Sequence, residues 1–412
     1  MKKTVLFFLL FSSLGVSAQR LASLDSMLLD ASYDEVLKLT NDSELQTFSG
    51  IQINCRRVQA LTRSGKLEEA RALVDKLKES SQKLSSNQDF ATGLINAANA
   101  SIHLNEGRND LALEEAQSSI EAYERSGKNN TLEAAEIIGT LGIIYNVTGK
   151  TQQAEEQLLK ALSIRREQLP ETHELIAATY NDLGLVYTRI DPDKALDYYD
   201  RALAVYEKLH ESNHPKIAIA NTNLGVIYRE LEFYGDAVNS LETALAIWEH
   251  VYSQPHPSKA FVLSNLAQTY QKMGDSKASD GYYERSLKMY EAAYGKRHPD
   301  IASTLNAIGN IRLSNRKYDE ALAYYQRALQ ANVRDFDSND ITINPPAENF
   351  YNGNVLLYSL LFKAQAFETK YFGETLKFGD LVLSMNAITK CDSLIENLRN
   401  QINNESDKIA LG

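Results

Sequence analysis

Ala202-Leu203, Ala244-Leu245, Ser286-Leu287 and Ala328-Leu329 follow one another at a constant interval of 42 residues. A period of this length marks one supersecondary unit repeated along the chain, and such a unit buries its apolar face only against its neighbours. The expected architecture is therefore a stack of helical hairpins, all-α, with the apolar core spread along an axis. Stacks of this kind usually hold other proteins.

The period holds at further positions. Leu141-Gly142, Leu183-Gly184, Leu224-Gly225, Leu266-Ala267 and Ile308-Gly309 form one series, with Tyr145, Tyr187, Tyr228 and Tyr270 three residues later; Arg312 breaks the tyrosine series. A second helix carries small residues at Ala154, Ala195, Ala237, Ser279 and Ala321. Four residues on come Leu158, Tyr199, Leu241, Tyr283 and Tyr325, and three beyond those Ala161, Ala202, Ala244, Ser286 and Ala328. Spacings of three and four put these side chains on one helix face. The small residues let two helices approach, and the large ones fill the gaps beside them. Pro170, Pro215, Pro255, Pro257 and Pro299 fall between units, Pro192 falls in a turn, and Pro345 and Pro346 follow the repeats. None interrupts a periodic stretch, as a helical array requires.

This Leu-Gly, Tyr, Ala, Tyr, Ala pattern resembles the tetratricopeptide signature. With its 42-residue interval and the steps His214-Pro215, His256-Pro257 and His298-Pro299 (His173-Glu174 is a variant), it looks like the kinesin-light-chain type. The resemblance implies an α-solenoid, a right-handed superhelix of helical hairpins. It is full over a regular array, residues 131–334. Ala70, Ala112 and Ser119 keep the phase upstream, so divergent hairpins of the same kind are expected over 19–130. A linker or an ordered loop is expected at 335–349, a capping helical hairpin at 350–404 and a tail at 405–412.

Residues 1–18 read as a secretory signal peptide. Lys2 and Lys3 precede an apolar run from Val5 to Leu14, and Val16-Ser17-Ala18 is a small-residue cleavage site, making Gln19 the first mature residue. The run is too short for a spanning helix, which needs roughly 20 apolar residues, so stable membrane insertion after cleavage is not expected. The short lysine-led signal looks bacterial and implies a periplasmic or secreted protein.

Acidic residues outnumber basic ones, 54 to 43, for a net charge of −11. An acidic body repels phosphate backbones, so nucleic acid is not an expected partner. Cys55 and Cys391 lie far apart in sequence and on apolar faces, and read as buried thiols with no disulfide. The periodic histidines sit one per unit, too far apart to share an ion, and His210 and His214 span a junction loop. They are expected to order helix entry, and no metal or cofactor is expected. Gly-x-Ser-x-Gly and glycine-rich phosphate loops are absent, and the one His-Glu-x-x-His match, His210-Glu211-Ser212-Asn213-His214, runs across a junction loop into Pro215 and not along a helix as a zinc site needs, so no catalytic residue is assigned and the chain reads as non-enzymatic.

In the family, first helices line a concave groove, and the resemblance carries its inward positions onto Asn181, Asp182, Asn223, Asn265 and Asn306, with Gln268 and Asn310 just after the Gly position and Arg229 further on. Amides there would bond an extended peptide backbone, since each offers donor and acceptor. Arg229 and Lys272 would take a carboxylate. The same amides can instead bond neighbouring helices. The tyrosines, 22 in all, sit mostly at core positions and read as packing.

After Val333 the phase is lost. Val355 to Phe367 and Leu376 to Leu398 carry two amphipathic patterns, with Gly373 at the turn. The stretch through Asn344-Pro345-Pro346, Leu361 to Phe367 and Ala387 to Arg399 resembles the segment preceding the caspase-like CHAT protease domain of secreted bacterial tetratricopeptide proteins. The chain stops at Gly412 without that domain. Two functions follow as expectations: an exported scaffold that holds an extended peptide or protein partner, or the sensor arm of a protease system whose catalytic domain is missing from this chain.

Overall fold

The computed structural model describes residues 19–29, 32–41 and 43–411. The expected signal peptide, residues 1–18, lies outside the described residues. The chain divides into two compact units, Met1–Leu209 and His210–Gly412. Both are arrays of helical hairpins. Among the described residues there is no β-strand, only an isolated antiparallel bridge between Val333 and Phe350.

The first unit runs α1 (19–29), α2 (Tyr33–Leu39), α3 (Phe48–Arg63), α4 (Leu67–Ser81), α5 (Gln88–Asn105), α6 (Asn109–Arg125), α7 (Leu132–Val147), α8 (Thr151–Gln168), α9 (Glu174–Tyr187) and α10 (Pro192–Leu209). The second runs α11 (Pro215–Glu230), α12 (Tyr234–Val251), α13 (Pro257–Lys272), α14 (Ser276–Tyr294), α15 (Pro299–Ser314), α16 (Tyr318–Asn332), α17 (Gly353–Lys370) and α18 (Phe378–Leu411). From α3 to α16, odd-numbered helices are the first of each hairpin and even-numbered ones the second. First helices touch the next first helix at α3–α5, α5–α7, α7–α9, α11–α13 and α15–α17, and within each unit each second helix from α4 packs on the first helix that follows. No break falls at residue 130, because α5–α6 makes the same hairpin as α7–α8.

The glycine series occupies matching places. A Cβ at Gly142 would lie 2.7 Å from Leu158; at Gly184, 2.5 Å from Tyr199; at Gly225, 2.5 Å from Leu241; and at Gly309, 2.5 Å from Tyr325. Each glycine thus lets its helix close onto the large residue of its own second helix. The small residues Ala154, Ala161, Ala195, Ala202, Ala237, Ala244, Ser279, Ser286, Ala321 and Ala328 are all fully buried. Burial of one Tyr or Leu at such a joint contributes about 1.5–3 kcal/mol.

In six of the seven hairpins from α3 to α16 the turn carries one left-handed residue, Gly65, Gly107, Gly149 and Gly274 but also Glu232 (φ 66°) and Arg316 (φ 59°); the turn between α9 and α10 has none. Between hairpins, His173, His214, His256 and His298 are helix N-caps. The Nδ1 of each accepts the backbone N–H two residues on, at 3.1 Å from Leu175, 3.3 Å from Lys216, 3.2 Å from Ser258 and 3.2 Å from Asp300. That nitrogen is therefore the unprotonated one, and in α11, α13 and α15 the proline fills the first helical position, where no donor is needed. The rings of His210 and His214 stack 3.8 Å apart, a contact suited to packing. Both cysteines are buried and unpaired; burial pushes Cys55 up to about 12 and Cys391 up to about 11.

The segment 335–349, expected as a linker or an ordered loop, is an ordered loop. Lys363, fully buried on α17, donates to Gln326 Oε1 (2.6 Å), the Ile343 carbonyl (2.9 Å) and Asn344 Oδ1 (2.8 Å). Burial pulls its ammonium down to about 7, and three neutral acceptors match its three N–H bonds. Asn332 closes the loop, donating to the Asn352 carbonyl at 2.7 Å and accepting the Asn352 N–H at 3.1 Å. Leu329, Val333, Phe336, Leu356, Leu360, Cys391 and Leu394 share one core, so α17 and α18 extend the stack. Gly373, expected to make their turn, lies inside a π-helical turn, Tyr371–Thr375, and the left-handed residue is Leu376 (φ 49°). Residues 405–411 continue α18 instead of forming a separate tail.

Candidate protein-binding face

The first helices of the second unit expose bulky apolar side chains at equivalent places. Ile219 on α11 is 45% exposed and Phe261 on α13 is 52% exposed, each six residues before its Gly or Ala position. Together they flank a pocket of about 300 Å³. Trp248 from α12 and Tyr290 from α14, both buried, also line it, as do Thr222, Asn223, Pro257, Ser258 and Asp300. The aromatic residues are fixed from behind. Trp248 stacks on Tyr252 (5.6 Å, 14°) and Tyr252 on His256 (3.5 Å, 12°). One period later Tyr290 stacks on Tyr294 (5.9 Å, 9°) and Tyr294 on His298 (3.7 Å, 18°). The aromatic ladders therefore run into the same His caps that place Pro257, Ser258 and Asp300 on the pocket wall.

The residues expected in a groove separate into two groups. Asn223 is half-buried and lines the pocket; Gln268 is half-buried and Lys272 exposed at the end of α13. Arg229 and Asn265 are buried and spent on one another: Arg229 Nη1 donates to Asn265 Oδ1 at 3.0 Å, and Asn265 Nδ2 donates to the Phe261 carbonyl at 3.0 Å. That pair ties α11 to α13 and does not face a ligand. Asn306 is buried beneath α17, where its Nδ2 donates to Ser359 Oγ at 2.8 Å. The Oδ1 of Asn310 accepts the Tyr325 hydroxyl at 2.7 Å. For Arg229, Asn265 and Asn306 the expectation of a ligand contact is corrected: Arg229 and Asn265 already bond across helices, and Asn306 is covered by α17, with its Oδ1 left without a hydrogen-bond partner.

Asn181 and Asp182 lie in the first unit, on α9. Both are half-buried, and the Asn181 side chain hydrogen-bonds the Asp182 carboxylate. Burial pushes Asp182 up to about 6, partly offset by Arg165. Arg165 stands at the repeat position of Trp248 and Tyr290, is itself buried, and donates to the Leu175 carbonyl at 3.2 Å and to Thr179 Oγ1. A polar pocket of about 430 Å³ in the same unit is lined by Gln59, Arg63, Asn105 and Glu136, with Gln59 donating to Glu136 at 3.0 Å. The pocket in the first unit is thus polar and the one in the second aromatic-apolar.

Ile219, Phe261, Trp248, Tyr290 and Asp300 were not expected at the site. The signal for two of them was available: Ile219 and Phe261 are one period apart, on helix positions whose neighbours two residues before the Gly carry asparagine. No three His, Cys, Asp or Glu side chains gather as a metal-binding set among the described residues. No described helix is long and apolar enough to cross a membrane.

A family model, Tetratricopeptide repeat, matches residues 89–167, 133–208, 175–250, 216–292 and 260–332, and the chain belongs to that family. It is 24% identical over 190 residues to Protein KINESIN LIGHT CHAIN-RELATED 1 of Arabidopsis thaliana, a match covering 46% of this chain and 31% of that protein. The chain thus spans less than a third of the length of this curated relative. Among solved structures it is similar to a Rap protein complexed with Competence and Sporulation Factor (TM-score 0.61, 15% identity, 94% of this chain and 99% of that one). It is also similar to the apo quorum sensor NprR from B. thuringiensis (TM-score 0.52, 14% identity, 78% and 98%). These likenesses establish the shared helical-hairpin fold.

Proposed function

We propose that this chain is an exported, non-enzymatic scaffold that captures an extended segment of a partner protein on the first-helix face of its second unit. The observation that carries the proposal is the pocket between α11 and α13, where Ile219 and Phe261 stand exposed beside buried Trp248 and Tyr290. Large apolar side chains held in water at a built hollow cost solubility, and contact with a partner relieves that cost. Asn223, on the same wall, is placed to bond a main chain laid across it. A solved neighbour of the same fold holds Competence and Sporulation Factor, which supports capture of a ligand by such an array.

The test is capture of partners from a periplasmic extract by the mature chain and by the double variant Ile219→Ser, Phe261→Ser. Both side chains are solvent-facing, so the melting temperature is expected to change little while capture falls at least tenfold. Equal capture by the variant would remove the pocket from the function. Export predicts that the chain recovered from expressing cells begins at Gln19; a retained Met1 counts against it.

A second reading, the sensor arm of a CHAT protease system, draws support from the uncovered apolar side chains Phe372, Leu376, Phe378 and Met385 on the C-terminal hairpin. It requires a catalytic partner chain whose peptidase activity changes when this protein is added, and no change would set it aside.

A further inference from the structure

We propose that the pocket between α11 and α13 selects a long-stemmed basic side chain, arginine or lysine, from the captured segment. The inference rests on the reading of this pocket as the capture site and adds the chemistry of what enters it. The walls, Ile219 and Phe261, and the aromatic edges of Trp248 and Tyr290 suit a methylene stem. Thr222, Asn223 and Ser258 add neutral polar groups, and the one charged side chain on the lining is the Asp300 carboxylate.

Asp300 has no Lys or Arg within ion-pair distance among the described residues. The nearest side-chain nitrogen is that of His298, whose Nδ1 lies 3.4 Å from Oδ2. That nitrogen accepts the Asp300 N–H and is unprotonated in this arrangement, so it does not neutralise the carboxylate. Lys259, the nearest cation in sequence on the pocket's α13 side, is buried and donates to the Gln254 carbonyl at 3.1 Å. Burial already raises Asp300 above its ordinary value of 3.8.

An apolar side chain filling the hollow would strip more water from this carboxylate and leave it unpaired. An acidic side chain would add like charge at short range. A guanidinium or ammonium at the end of an aliphatic stem satisfies both parts of the lining at once.

Trp248 is the single tryptophan of the chain, so its emission reports on this pocket directly. The probes are acetylated, amidated Gly-X-Gly tripeptides with X as Arg, Lys, Leu or Glu, titrated against the full mature chain. Arg and Lys probes are expected to half-saturate at about tenfold lower concentration than Leu, with Glu weakest. Asp300→Asn is expected to abolish the preference, weakening Arg and Lys while Leu binds more tightly than in the wild type, because no carboxylate is left to be stranded. Ser258→Lys, which places a cation in the pocket without touching the α15 terminus, should do the same if Asp300→Asn does not fold.

Leu or Glu binding as well as Arg, or persistence of the Arg preference in the folded variants, overturns the inference and leaves capture by the pocket standing. No response of Trp248 to any probe sinks both.

Discussion

Asn265 shows how one residue type serves two ends at adjacent repeats. Asn223 and Asn265 hold the same place in successive hairpins, two before the Gly or Ala position. Asn223 reaches the pocket, whereas Asn265 lies beneath the Arg229 guanidinium and accepts from it. Asn265→Ala leaves the buried Arg229 Nη1 without this acceptor, although Arg229 Nε keeps Glu230 Oε1 at 3.3 Å, and is expected to cost about 1–3 kcal/mol. Asn223→Ala, at a half-buried position on the pocket lining, should stay within about 0.5 kcal/mol. Urea denaturation of the two single variants checks this, and equal losses would mean that Asn223 is structural too. Glu232 and Arg316 make the opposite point, since they hold left-handed turn positions that glycine fills in other hairpins.

At the scale of the element, the histidine caps link helix entry to pH. Burial, then Arg165, holds His173 below its ordinary 6.5; burial, then Lys259, does the same for His256. The unfolded chain takes up these protons near pH 6.5 and the folded chain resists, so the unfolded state binds more protons as pH falls. The stability tied to these caps is fully present above about pH 6.5 and is lost as pH drops through the lower folded values. Asparagine caps a helix without titrating in this range. Between pH 7.5 and 5, the His173→Asn, His256→Asn double variant is expected to lose less stability than the wild type, by about 1 kcal/mol in total. Parallel melting temperatures across that range would show that the caps do not titrate on folding. The loop 335–349 belongs at this scale as well: its polar composition reads as a linker or an ordered loop, and buried Lys363 organises it from a helix that follows it in the chain.

Across the whole molecule, contacts run between neighbours, so stability is close to a sum of hairpins and the joints between them. Such arrays depart from all-or-none unfolding as they lengthen. Trp248 reports on the second unit alone, while far-ultraviolet dichroism averages every helix. Urea curves from the two signals are expected to part, with midpoints differing by about 0.5 M or more. Superimposed curves would mean that the units unfold as one body. The contrast between a polar pocket in the first unit and an aromatic one in the second is the ground on which the proposed capture is assigned to the second.

The repeat interval, the paired small and large residues and the His-Pro steps were enough to specify hairpins, joints and caps, because each of these depends on neighbours a few residues or one period away. Gly142, Gly184, Gly225 and Gly309 could be aligned before any coordinates, and they close onto the same series of large residues. Which side chains remain exposed on the first helices could not be read in the same way. Arg229 covers Asn265 from the preceding hairpin, and α17 covers Asn306 from beyond the repeats. Trp248 and Asp300 come to one pocket from separate helices. Local periodicity determines which face of a helix turns inward; only the packing of other elements over the remaining face decides what a partner can touch.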